Sequence, residues 1–220
     1  PQASVTASDS QQPEFSKPAS SYIRQTVTNS RFAAARARLD ANTNVPEIVR
    51  TSGVPAELLG GIWTMESDLG RVQGNIDVVS ALATLAYDGR RRDWAESELI
   101  ACLKILRDSG ISRDTLKGSW AGAMGQTQFL PDNYLRLGVD GDHDGKVDIR
   151  GSYSDGLPSA GSHLAKAGWK PGEADRIFFK LTPSRPAPVS STKAKKICAT
   201  IKPWRTRWAA RLTVPLRDSE

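Results

Sequence analysis

Residues 60–70 read GGIWTMESDLG, and they set an acid among large apolar side chains. The entry before them, Ser52-Gly53-Val54-Pro55, suits a helix that starts with Pro55 at its first position. Glu57 then falls in the first turn, where the helix dipole favours negative charge, and Gly70 is a natural stop. On a wheel of about 100° per residue with Leu58 at zero, Met65, Leu69, Ile62, Leu59 and Trp63 spread from about −20° to about 140°. Glu66 falls near 80°, in the middle of that stripe. A carboxylate there costs free energy unless it is paired or neutral, and burial raises its pKa toward the range a general acid needs. Glu66 is therefore either a catalytic acid or a structural glutamate with an Arg or Lys partner. From this helix alone the structural reading carries more weight.

Composition sets the frame. The 220 residues allow one good core and a small appendage. A hydrophobic fraction of 39% with six Trp excludes a disordered chain. No apolar run approaches a membrane span. The opening PQASVTASDSQQ has neither a basic n-region nor an apolar h-region, so no signal peptide is visible. The chain does not start with Met, which suits a processed protein and leaves export open. The net charge of +6 is uneven: between Lys180 and Arg217 stand ten Lys and Arg and no acid. Such a segment suits an anionic polymer, or is an ordinary solvated tail. Phosphate-binding and RNA-binding signatures are absent, which argues against nucleic acid. Cys102 and Cys198 have neither metal nor redox spacing. Cys102 lies on the apolar side of a predicted helix and reads as a packed core thiol.

The organisation is mainly α. Residues 1–20 read as extended, and 21–41 have helical character through Tyr22, Ile23 and RFAAARARL. Helices are predicted from Pro55 to about Leu69, over 78–87 (VVSALATLAY), over 92–110, in part of 124–138, and up to about Gly168. No strand alternation and no internal repeat is visible. Residues 1–52 form an N-terminal helical extension, 53–175 the core, and 176–220 a basic, incomplete segment with a linker composition.

Three stretches carry chemistry. Glu98 falls on the wheel between Trp94, Cys102 and Ile105, a second acid on an apolar stripe. An ion pair with Arg90, Arg91 or Arg92 explains it; a glycosidase pair with Glu66 is the alternative. Residues 117–134, KGSWAGAMGQTQFLPDNY, combine glycines that permit close approach with Gln126 and Gln128, whose amides suit sugar hydroxyls and acetamido groups. Trp120, Phe129 and Tyr134 offer flat faces for sugar rings, and Met124 lies among them. A tight helix contact with an aromatic core explains the same composition. Residues 140–148, DGDHDGKVD, place Asp140, Asp142 and Asp144 at positions 1, 3 and 5 of an EF-hand-type loop, with Gly145 at position 6. Lys146 would ligate through its carbonyl. Position 12 is Gly151, so Asp155 is the acid available to replace the usual Glu.

Together these stretches resemble the membrane-bound lytic murein transglycosylase B family, glycoside hydrolase family 103. The resemblance runs through QPEFSKPASSYI, GVPAELLGGIWTMESDLGR, SALATLAYDGRR, SELIACLKIL, GSWAGAMGQTQFLP, VDGDHDGKVDI and LAKAGWKPG, from about Asp9 to Gly172. It implies a lysozyme-like helical catalytic domain with an EF-hand-like metal loop. It implies Glu66 as sole acid/base, cleaving the β-1,4 bond between N-acetylmuramic acid and N-acetylglucosamine to leave 1,6-anhydro ends. Ser119, Met124, Gln126, Gln128, Phe129 and Tyr134 become candidate substrate-binding residues. Asp140, Asp142, Asp144, Lys146 and Asp155 match the family's structural calcium loop. The implied partner is peptidoglycan, the compartment the periplasm, the state a monomer, and any membrane association would use a segment not in this chain. Two departures stand out. His163 occupies the place of a family tyrosine, and the family's closing aromatic-Arg-Tyr-Asn segment is not found before LRDSE, which makes the copy incomplete at its C-terminus. The alternatives are a calcium-stapled peptidoglycan-binding module with little turnover, and a hydrolytic muramidase that pairs Glu66 with Glu98.

Overall fold

The computed structural model describes residues 1–10 and 25–171. The expectations for Tyr22, Ile23, Cys198, the basic segment and the missing closing motif lie outside the described residues. Among those residues the order is α1 (Ala3–Ser10), α2 (Asn29–Asp40), α3 (Val45–Ser52), α4 (Ala56–Ser67), β1 (Ile76–Asp77), α5 (Val78–Asp88), α6 (Arg92–Asp108), β2 (Lys117–Gly118), α7 (Pro131–Leu137) and α8 (Tyr153–Lys166). The mainly α reading holds. The two strands pair antiparallel, Ile76 with Gly118 and Asp77 with Lys117, and bridges from Gly118 to Met124 and Met124 to Phe129 extend the pairing. A two-residue strand has no period to show in a sequence.

Local chemistry sets the helix ends. Thr28 caps α2 by accepting the Arg31 N–H, and Asp77 caps α5 by accepting the Ser80 N–H. Pro131 at the first position of α7 fixes φ where no amide bond is lost. α3, α5 and α4 all end on residues in the left-handed region: Gly53, Gly89 and, at α4, the non-glycine Asp68.

Side chains from α2, α3, α4 and α8 share one core: Leu39, Ile48, Leu59, Trp63, Leu157 and Leu164. A second core joins α5, α6 and α7 through Val78, Leu82, Ile105, Phe129 and Tyr134. A third cluster seats α1, with Val5 against Ala81, Leu85 and Ala95. The first core takes residues from both sides of position 52: Leu39, Val45 and Ile48 pack in the same cluster as Leu59. Cys102 is fully buried in the second core, and its apolar surroundings push the thiol up to about 12. The tail of the described part returns to the first core, where Trp169 Nε1 donates to Gly53 O at 2.7 Å. None of the described helices is long and apolar enough to cross a membrane.

Candidate active site

Glu66 sits in the last turn of α4. Leu59, Ile62 and Trp63 are 1%, 7% and 1% exposed, and Glu66 continues that row by helical spacing. The row reaches the surface at Glu66, which is half-buried. Met65 turns instead toward α2 and lines a groove with Phe32, Ala35 and Arg31. Glu66 thus keeps its place in the apolar row and stands at the end of that row nearest the surface.

The chain leaves Glu66 through three consecutive left-handed residues, Asp68 (φ 53), Leu69 (φ 61) and Gly70 (φ 85). For Asp68 and Leu69 this conformation costs of order 1 kcal/mol each, so something must hold it. The amides of Asp68 and Leu69 return to Thr64 O and Trp63 O at 3.0 and 3.2 Å, and Gly70 N donates to Ser67 Oγ at 2.9 Å. Arg31 reaches across from α2, donating to Thr64 O at 3.0 Å and to Asp68 Oδ1 at 3.4 Å. Arg71 holds the other Asp68 oxygen at 2.7 Å. Arg71, opposing burial, lowers the Asp68 carboxyl, and Arg31 adds to the effect.

The turn 124–128 faces this end of the helix and is sewn to it by Gln126. Its Oε1 accepts Trp63 Nε1 at 2.8 Å, and its carbonyl accepts Ser67 Oγ at 2.6 Å. Its Nε2 donates to Arg150 O at 3.2 Å, and its amide donates to Ile149 O at 2.9 Å. Gly70 has to be glycine here, since a Cβ would stand 2.8 Å from Gln126 Oε1 and φ is positive. Gln126, expected among the residues that hold a sugar, is 5% exposed, and its side-chain amide is bonded to Trp63 and Arg150.

Three further candidates are buried as well. Met124, Phe129 and Tyr134 are 4%, 5% and 6% exposed and belong to the second core. Tyr134 spends its hydroxyl on Val147 O at 2.8 Å. Burial on all sides removes the open face that stacking needs. Ser119, Trp120 and Gln128 remain half-exposed. Ser119 Oγ accepts the Ala123 N–H at 3.1 Å. Gln128, at φ 51, donates from Nε2 to Gln73 O at 3.1 Å and Gly125 O at 3.0 Å. Gln73 in turn donates to Gly70 O at 2.9 Å and Arg150 O at 3.0 Å. Sequence reading missed Arg31 and Gln73. Arg31 meets its partners across more than thirty residues of chain, and neither residue carries a local pattern.

Glu98 has the structural role favoured for it, but with a backbone amide in place of the expected Arg partner. It is 7% exposed, and Oε2 accepts the Asp132 N–H at 3.0 Å, satisfying an orphan donor in the first turn of α7. Burial pushes its carboxyl up, with the Asp132 amide pulling the other way. Arg90 and Arg91 pair with Asp9 of α1 instead. His163 is half-buried, its ring 5.5 Å from that of Phe129; burial, then Arg136, lowers its pKa.

The acidic loop gathers three of its four expected carboxylates. Carboxylate oxygens of Asp140, Asp142 and Asp144 lie within 4.8 Å of one another. Asp140 accepts the Asp144 and Gly145 amides at 3.2 and 2.9 Å, and Asp144 accepts the Lys146 amide at 2.8 Å. Gly145, at φ 87, and His143, at φ 60, make the sharp bend. Asp155 stands outside that group: fully buried, it braces the loop by accepting the Gly141 and Asp148 amides at 2.8 and 2.7 Å. Burial pushes its carboxyl up.

Comparison with known proteins follows the same lines. The transglycosylase SLT domain family matches residues 1–217. Membrane-bound lytic murein transglycosylase B of Escherichia coli (strain K12) is 37% identical over 122 residues, covering 55% of this chain and 34% of that protein. SltB3 from Pseudomonas aeruginosa, solved in complex with NAG-anhNAM-pentapeptide, is 41% identical with a TM-score of 0.74, over 78% of this chain and 46% of that one. Escherichia coli Slt35, solved in complex with calcium, is 30% identical with a TM-score of 0.67, over 70% of this chain and 50% of that one. The chain thus spans about a third of the first relative and about half of the two solved ones. A helix-borne acid beside a Gly-rich turn, on a fold shared with these proteins and matched almost end to end, places the chain in the transglycosylase SLT domain family.

Proposed function

We propose that the chain carries the catalytic domain of a lytic transglycosylase, cleaving the MurNAc–GlcNAc β-1,4 bond of peptidoglycan in the bacterial cell envelope. The supporting observation is Glu66 at the rim of the apolar row of α4, on a helix end fixed by Gln126 and Arg31. The likeness to SltB3, solved with NAG-anhNAM-pentapeptide, supports the substrate class. In this reading the Glu66 carboxyl gives its proton to the glycosidic oxygen as the C1–O bond breaks. The carboxylate then takes the proton of the muramyl 6-hydroxyl while O6 bonds to C1. The acid is regenerated, no water is consumed, and one carboxyl suffices. Ser119 and Gln128 are the half-exposed candidates for holding the sugar. The hydrolytic alternative needs a second carboxylate, and Glu98 is spent on α7.

We further infer that Asp140, Asp142 and Asp144 hold Ca²⁺, with the Lys146 carbonyl as a further ligand. Three carboxylates converging on one point repel one another unless a cation sits between them, and hard oxygen donors suit calcium. The ion would staple the loop and take no part in the chemistry.

The test is mass spectrometry of products from purified peptidoglycan, wild type beside Glu66→Gln. Anhydro-ended products, lighter by one water than hydrolysed ones and absent with the variant, support the proposal. Reducing ends point to a hydrolase, and no products with retained wall affinity point to the binding module. For the ion, melting with excess Ca²⁺ against EDTA should differ by several degrees; identical curves remove the metal.

A further inference from the structure

We propose that Asp9 and Arg91 are positioning residues for the turn 119–123, acting through the indole of Trp120. The inference rests on the reading of Ser119 as a sugar-binding residue.

Asp9 is a carboxylate 3% exposed, in the last turn of a two-turn helix. It is ionised there because Arg90 Nε donates to Oδ2 at 2.6 Å and Arg91 donates to Oδ1. The bond from Arg90, opposed by burial, keeps its pKa low, and the charge of Arg91 adds to the effect. Arg90 also holds the Asp9 carbonyl at 2.7 Å, and Gln2 N donates to Thr84 Oγ1 at 3.0 Å, so α1 is fastened at both ends. Holding α1 in place needs less than a buried charge, because Val5 is already fully buried against α5 and α6. Only the carboxylate is buried, with Arg90 and Arg91 54% and 35% exposed, so the pairing adds little stability and acts as a geometric constraint.

What the pair constrains is Arg91. Its guanidinium carbon lies 4.9 Å from the Trp94 ring centroid and 5.5 Å from that of Trp120. Its Nε is buried with no hydrogen-bond partner among the described residues, as expected where aromatic faces take the place of acceptors. The planar fork can satisfy Asp9 and lie over both rings only in one orientation. Trp120 is thereby held through the face that meets Arg91. Trp120 follows Ser119, whose amide and carbonyl close a tight turn with Ala123 O at 2.8 Å and Gly122 N at 3.0 Å. The segment before β1 leaves no slack, since a Cβ on Gly74 would stand 2.2 Å from Gly118 O. Fixing the indole therefore fixes the backbone that aims the Ser119 hydroxyl. No step of the reaction touches Asp9 or Arg91.

The test compares the full chain with Asp9→Asn, Arg91→Lys and, as a packing control, Val5→Ala. Two resonances are followed by NMR: the Trp120 indole N–H and the Ala123 amide, which donates to Ser119 Oγ. In parallel, kcat and KM are measured on soluble peptidoglycan strands. Asp9→Asn should move both resonances and raise KM about fivefold or more with kcat within about twofold. Arg91→Lys, which keeps the charge but not the plane, should fall between it and wild type. Val5→Ala should lower Tm and leave both resonances and KM in place. If Asp9→Asn behaves like Val5→Ala, Asp9 only holds α1 and the proposal is overturned. If the wild type releases no product, the peptidoglycan reading fails, and the resonances alone decide whether Asp9 and Arg91 set the turn.

Discussion

Glu66 and Glu98 look alike on a helical wheel, and three-dimensional surroundings separate them. Glu98 meets a backbone amide and is closed over, while Glu66 lies where its apolar row opens to solvent. Removing the Glu98 acceptor with Glu98→Ala leaves the Asp132 N–H unsatisfied and should cost about 1–2 kcal/mol, read as a urea midpoint shift. Glu98→Gln keeps an acceptor. Because burial holds the wild-type carboxyl above its ordinary value of 4.5, its ionisation in the fold is unfavourable. Wild type therefore loses stability relative to Glu98→Gln as pH rises through that value, and the difference should grow from pH 4 toward neutrality. The product spectrum should not change. At this scale the sequence exposed residue type and periodicity but not depth. Met124, Phe129 and Tyr134 sit in a Gly-rich stretch that suits a sugar platform and a packed turn equally well. Contacts with α5 and α6, far away in the chain, decided for the core.

The longer helices α4, α5, α6 and α8 were legible from their apolar periodicity, whereas α1, read as extended, and α3, for which no helix was expected, were not. The ends of α4 and the two strands were also less legible. The α4 helix stops at Ser67 rather than at Gly70 because the clamp on Asp68 holds a left-handed turn that its own residue type disfavours. Asp77 shows what a helix start contributes. Burial raises its carboxyl, but the bonds from Arg113 at 3.1 Å and from Ser80 N at 2.7 Å outweigh it and lower the pKa from 3.8 to about 2. A depressed carboxylate stabilises the fold above its unfolded value and loses that contribution as pH falls through the folded one. The loss, up to about 2 kcal/mol, should fall between about pH 4 and pH 2. In Asp77→Asn that stretch of the acid-denaturation curve should be flatter.

Across the whole molecule, Gln126 is where the first core, the turn 124–128 and the end of the acidic loop meet, through Trp63, Ser67, Ile149 and Arg150. Gln126→Leu fills the same volume but leaves Trp63 Nε1 without its acceptor. A loss of about 2–3 kcal/mol is expected, with a fall in turnover beyond that of Glu98→Ala, measured by melting and by product release on the same preparations. This convergence was not readable in advance, since a glutamine in a Gly-rich run looks like a surface residue. The mixing of residues on both sides of position 52 in one core was likewise hidden, because packing partners are set by chain topology and not by composition.

The bond from Trp169 to Gly53 joins residues 116 positions apart, and Pro171 rests where a Gly53 Cβ would come within 2.8 Å. Mechanically this is a seat-belt buckle: the strap begins at the elbow between α3 and α4 and fastens behind α8. A pull applied at Pro171 reaches this buckle first and loads the elbow as shear before it reaches α8. Trp169→Phe, which removes the indole donor, would let such a pull run straight into α8.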